Sequence, residues 1–333
     1  MVCIDLALEK YLDGVKLGRS SHTARTYANA AHAFRAVLLK NGVDAAKAPI
    51  DTLGEDPIVW LVKSLKNLSP ATERLYVQAM ANFYEYLAAE RLADVNLPRL
   101  RLLIRQRARR PGIRLPQFPA EDIAKLLDSI QDPFFIQASD EHERLRAMRD
   151  RAFLLTLADT GLRVHEACQL RRGDVDLNEG QAIVIGKGDK QALVRFSSRS
   201  VKSIRDYLGV RAELDGNSGK PLASLPLFAR HDKGAGKKVK SITTTTGRNI
   251  VKLRVEQALG KEAGGRITPH SLRHYFVTTV LRASGNLKMA QELARHTNIQ
   301  VTQRYAHLSN EELDRGYHEI FNKTRKDQGE DTA

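Results

Sequence analysis

The chain has 333 residues, 53 Lys and Arg against 39 Asp and Glu, and a formal net charge of +14. Its 42% hydrophobic and 28% charged composition is globular rather than disordered, and the length suits two domains of ordinary size. Two cysteines, Cys3 and Cys168, exclude a disulfide framework and a Cys-rich zinc site, whereas the basic surplus points to a polyanion as partner.

The first segment reads as helical. Leu6, Leu8, Tyr11, Leu12 and Val15 form a short apolar face. Residues 21–40 carry Tyr27, Ala31, Phe34, Val37 and Leu38 at helical spacing, with Ser20 or Ser21 as N-cap and Asn41-Gly42 as the stop. A third helix is expected over 56–66, with Pro57 in its first turn. A fourth starts at Ser69-Pro70 and carries Leu75, Ala79, Phe83, Tyr84 and Leu87. Residues 1–98 thus read as a four-helix domain, and their 11 basic and 11 acidic side chains balance.

Seven arginines and no acid follow in residues 99–114. Closed by Pro111-Gly112 and Pro116, residues 99–117 read as an interdomain linker. Arg99, Arg101, Arg105, Arg107, Arg109 and Arg110 are its candidate DNA-backbone contacts.

A second domain is expected over 118–326, followed by a polar tail, 327–333. Helices are expected over 119–130 and 144–158, the second stopped by Gly161. Two short strands, 181–186 and 191–196, are joined by a turn holding Lys187 and Lys190. Helices resume over 199–214, 246–259, 269–283, 287–295 and 298–307. A last one over 310–322 carries Leu313, Tyr317, Ile320 and Phe321. The fold class is therefore mainly α with a small β-hairpin, a helical domain preceding an α+β domain. No apolar run reaches the length of a membrane span, no secretory signal opens the chain, and no phosphate-binding GxxxxGK[ST] string occurs.

Four patches of the second domain bear chemistry. Thr160-Gly161-Leu162-Arg163 is followed by Glu166 three residues after the arginine. Lys187 sits in the hairpin turn. Thr268-Pro269 starts a helix whose first turn puts His270 and Arg273 on one face, beside the free N–H groups of a helix N-terminus, where an anion binds. His296 precedes a capping pattern, Thr297 to Gln300, and Tyr305 lies about two turns into that helix.

In this order, with the strings TGLR, GKGDK and HSLRH and a Ser-x-x-Thr-x-x-x-Tyr run at Ser20, Thr23 and Tyr27, the chain resembles the tyrosine recombinases, the phage-integrase and Xer-like site-specific DNA recombinases. The resemblance implies a helical core-binding domain, a catalytic domain, and cleavage through a 3′-phosphotyrosyl intermediate. It assigns Tyr305 as nucleophile, Arg163 and Arg273 as phosphate clamps, Lys187 as proton donor to the leaving oxygen, His270 as acid/base, His296 as a hydrogen-bonding support and Glu166 as the residue orienting Arg163. It implies duplex DNA with an inverted-repeat core site as partner, a tetramer on DNA joined by exchange of the C-terminal helix, no cofactor, no metal, and a cytoplasmic, nucleoid-associated protein of prokaryotic or mobile-element origin. No arm-binding domain is expected ahead of the helical one. The competing functions are a type IB topoisomerase-like relaxing enzyme and a catalytically inactive DNA-binding relative. The chain departs from the family pattern at one place: Leu-Gly-His before the nucleophile helix is here Ala294-Arg295-His296.

Overall fold

The computed structural model describes residues 2–109, 119–136, 140–185, 191–232, 238–296 and 298–303. The chain divides into two compact units, Met1–Arg114 and Leu115–Ala333.

The first unit is all helical: α1 (Ile4–Gly18), α2 (Ser21–Lys40), α3 (Asp56–Ser64), α4 (Pro70–Ala89) and α5 (Leu97–Arg107). The Ser20 and Ser69 hydroxyls accept the Thr23 and Thr72 amides, starting α2 and α4 where the sequence pattern places them. Phe34, Phe83 and Tyr84 pack edge to face in the core. The Tyr11 and Tyr84 hydroxyls reach the Ala79 and Gly54 carbonyls at 2.9 and 2.8 Å, so neither is buried without a partner.

Helix α5 corrects the linker expected from residue 99. Asn96 caps it by accepting the Arg99 amide, Pro98 stands in the first turn that tolerates proline, and Leu100, Leu103 and Ile104 make a stripe that packs into the core. The density of arginine hides that stripe from a reading of charge alone. Three of the arginines are held by carboxylates of the same unit: Arg99 by Glu55 and Asp56, Arg101 by Glu85, and Arg109 by the buried Glu73. Arg105 and Arg107 carry no carboxylate partner among the described residues. Arg110 lies outside them.

The second unit begins with α6 (Ala120–Gln131), α7 (Glu141–Thr160) and α8 (Val164–Gln169). A three-stranded antiparallel sheet follows: β1 (Val175–Asp176), β2 (Gln181–Ile185) and β3 (Gln191–Arg195), in that order, with Ile183 opposite Leu193. The strand β1 is too short to show in a sequence pattern. Then come α9 (Ser198–Val210), α10 (Ala212–Gly216), α11 (Thr244–Leu259), α12 (Pro269–Ser284), α13 (Leu287–Ala294) and the described turn α14 (Ile299–Gln303). Helix α7 is apolar on nearly every side because it runs through the middle of this unit, against α6, α8, α9, α11 and α12. Among the described residues no helix is long and apolar enough to cross a membrane.

At the end of α9 and in α10 lies a buried polar network. Arg211 is fully buried, pairs with Asp215 at 2.9 Å and donates to the carbonyls of Pro226 and Leu227. His231 sits 2.7 Å from the Tyr207 hydroxyl. Burial, then the charges of Arg149, Arg211, His142 and Arg146, push its pKa down to about 3. The folded protein therefore binds fewer protons than the unfolded chain between pH 6.5 and 3, so stability is full above that window and is lost as pH falls through it. At about pH 4.5 the loss from this residue is a few kcal/mol. A His231→Gln variant, which keeps a polar partner for Tyr207 but takes no proton, is expected to flatten the acid side of the stability–pH curve by that amount. An unchanged curve contradicts a buried neutral imidazole.

Candidate active site

The site grows from three helix ends. Helix α7 stops at Gly161, which has φ +62° and whose position leaves no room for a Cβ: the Phe276 ring would lie 2.4 Å from it. Glycine is required there on both counts. The sharp reversal places Arg163 as N-cap of α8, with its amide donating to Glu166 Oε2 at 2.8 Å and its guanidinium to Oε1 at 2.9 Å.

The second end is the start of α12. Thr268 and Ser271 cap each other reciprocally, which fixes the first turn that holds His270 and Arg273. Arg273 is buried, and its two terminal nitrogens donate to the Gly161 and Ala294 carbonyls. Those bonds set the plane of the guanidinium between the end of α7 and the end of α13. His270 stacks edge-on with His274, ring centroids 4.2 Å apart.

The third end closes α13. Arg295 takes the left-handed conformation, φ +56° and ψ +45°, that a helix stop normally gives to glycine. Its guanidinium donates to Glu166 Oε2 at 2.9 Å. His296 follows, its Nδ1 2.9 Å from the Thr302 hydroxyl and its carbonyl accepting from Gln291 Nε2 at 3.0 Å.

The arginines dominate the electrostatics of the site. Burial, then Arg273 and Arg163, push the pKa of His296 down to about 4. The same causes lower that of His270, and burial with His270 and Arg273 takes His274 to about 4. Near pH 7 these imidazoles are neutral and serve as hydrogen-bond donors and acceptors, not as extra cations. Burial raises the Glu166 carboxyl, but Arg295 and Arg163 outweigh it and hold the group below the usual carboxylate range. It stays ionised.

Arg163, His270 and Arg273 line one cavity of about 490 Å³ together with His165, Arg248 and Lys252. Among the described residues no carboxylate lines it, so it suits an anion with several oxygens. His165, Arg248 and Lys252 escape a sequence reading. Arg248 and Lys252 stand four residues apart on α11, a spacing that puts both on one face, but α11 looks like any amphipathic helix until its neighbours are known. Among the described residues no group of three metal-ligating side chains converges. Lys187, Lys190, Tyr305 and the helix expected over 310–322 lie outside the described residues.

A family profile described as "Phage integrase family" matches residues 120–312. The tyrosine recombinase XerC of Pelotomaculum thermopropionicum is 33% identical over 253 residues, covering 76% of this chain and 75% of that protein. The XerC of Bacillus subtilis is 29% identical over 300 residues, 90% of each chain. Among solved structures, the XerH site-specific recombinase in a post-cleavage complex with palindromic difH substrate aligns with a TM-score of 0.67 at 22% identity, covering 93% of this chain and 83% of that one. A lambda integrase dimer bound to a COC′ core site aligns with a TM-score of 0.60 at 15% identity, covering 91% and 95%. At these identities the structural likeness establishes the fold.

Proposed function

The chain belongs to the phage integrase family, the tyrosine recombinases that break and rejoin DNA at specific sites, and we propose that it does so with Tyr305 as nucleophile in the cavity of Arg163, His270 and Arg273. The Tyr305 oxygen attacks the scissile phosphorus while the bond from phosphorus to the 5′-oxygen breaks. His270 takes the phenolic proton and Lys187 supplies one to the departing 5′-oxygen. The product is a 3′-phosphotyrosyl link and a free 5′-hydroxyl. The phosphodiester energy is kept in that link, so rejoining consumes no nucleotide.

Arg163 and Arg273 hold the two non-bridging oxygens as charge builds on them, a task for which a planar fork is better than an ammonium. His296, neutral and fixed by Thr302, adds a hydrogen bond to the same phosphate. Arg248 and Lys252, and in the first unit Arg105 and Arg107, contact neighbouring backbone phosphates. Two copies bind an inverted-repeat site and four exchange strands, with the segment 310–322 of each docking on a neighbour through Leu313, Tyr317, Ile320 and Phe321.

The observation that supports this reading is the meeting of Arg163, His270 and Arg273 around one cavity that no carboxylate among the described residues lines. The test starts by selecting random duplex DNA on the purified protein and nicking the recovered sequence beside the cleavage point, so that the 5′-hydroxyl fragment diffuses away. A denaturation-resistant DNA–protein adduct is expected, at the same rate with EDTA as with magnesium. Absence of an adduct contradicts the proposal, and dependence on magnesium contradicts the assignment of all charge neutralisation to side chains.

A further inference from the structure

We infer that Arg295 is a positioning residue for Arg163, acting through Glu166. The inference rests on the proposed function, because it concerns how one clamp on the scissile phosphate is aimed.

Arg295 occupies an unfavourable position. Its left-handed backbone is strained for a residue with a Cβ, and its side chain is only 12% exposed, so its charge is largely withdrawn from water. The contact that holds the side chain is the bond from its terminal nitrogen to Glu166 Oε2, while its Nε is buried with no hydrogen-bond partner among the described residues. That carboxylate is held on both oxygens: Oε1 by the Arg163 guanidinium, Oε2 by the Arg163 amide and by Arg295.

Two consequences follow. The first is geometric. Arg163 is a long side chain with 44% of its surface exposed, and its described ion-pair partner is Glu166. Arg163 reaches both oxygens of that carboxylate, through its amide and its guanidinium, and Arg295 adds a further bond at Oε2 that restrains the rotation of the carboxylate and with it the guanidinium bonded to Oε1. The second is electrostatic. An isolated Arg163–Glu166 pair would present almost no net charge to a phosphate. With Arg295 added, the three groups carry one net positive charge, and Glu166 can aim Arg163 without cancelling it.

The same short turn serves the rest of the site. The Ala294 carbonyl holds Arg273, the Arg295 side chain holds Glu166, and His296 follows directly. Three consecutive residues thereby set the relative positions of both arginines and the histidine.

The test compares Arg295→Gly, Arg295→Lys and Arg295→Gln with the native protein on the nicked duplex, measuring DNA affinity and single-turnover adduct formation separately. Arg295→Gly relieves the backbone and is expected to fold, to bind DNA within about twofold of native, and to form adduct about tenfold more slowly. Arg295→Lys keeps the charge and one hydrogen bond and is expected to recover part of that rate, and Arg295→Gln, without the charge, less. In a Glu166→Gln background, Arg295→Gly is expected to add less than about twofold, because the group it acts through is already changed. A native rate in Arg295→Gly overturns the inference. So does a loss that lysine does not restore and that persists undiminished in the Glu166→Gln background, since that marks a role in folding alone. A native protein that forms no adduct overturns the functional proposal instead, so the two failures are distinguishable.

Discussion

Tyr305→Phe is expected to bind the selected duplex as tightly as the native protein and to form no covalent adduct with it. Phenylalanine keeps the aromatic ring and removes one oxygen, the atom proposed to attack phosphorus. No neighbouring group substitutes for it: Arg163 and Arg273 are cations held by their own partners, and the histidines of the site are proton carriers in this scheme. Losing a covalent nucleophile costs at least ~10⁴-fold in rate, well beyond the range of a gel assay, while binding is spread over many backbone phosphates and survives. Equal binding with a surviving adduct would place the nucleophile elsewhere. Loss of binding together with the adduct would show that the phenol serves the interface.

Arg273→Lys is expected to slow adduct formation by about 10³-fold while weakening DNA binding by less than about tenfold. Arg273 is 4% exposed and joins two backbone carbonyls, of Gly161 and Ala294, at once. A lysine carries the same charge, but its single nitrogen cannot span both carbonyls and face a phosphate in a fixed plane. The charge stays near its place and the geometry is lost, so the loss falls on the transition state and spares binding. Thermal unfolding checks that the second unit is intact. Equal losses in binding and cleavage, or a matching drop in stability, would make Arg273 a structural residue.

Much of the architecture is readable in the chain because its signals are local. Serine caps at Ser20 and Ser69, the left-handed glycine at Gly161, and the Thr268-Pro269 start each act within one turn. They bring helix boundaries within a few residues of their place. Arg163, His270 and Arg273 stand at such helix ends, but no local signal singles them out; their order along the chain, which resembles the family's motif, makes them candidates.

What escapes the sequence is non-local. Helix α5 is hidden because seven arginines over 99–114 look like a tether, whereas Leu100, Leu103 and Ile104 and the distant carboxylates Glu55, Glu73 and Glu85 tie 97–109 to the first unit. The charge surplus is correspondingly less free than its sum suggests. Arg248 and Lys252 acquire meaning only when α11 is laid beside the start of α12. Arg295 looks like a disruption of a glycine turn until Glu166, 129 residues earlier, is seen against its guanidinium.

The central claim is that this cavity forms a phosphotyrosyl bond at one particular residue. The most direct measurement digests the trapped adduct with trypsin and nuclease and identifies by mass spectrometry the residue that carries the nucleotide. The prediction is a nucleotide joined through its 3′-phosphate to Tyr305. A nucleotide on any other residue, or joined through a 5′-phosphate, would contradict it.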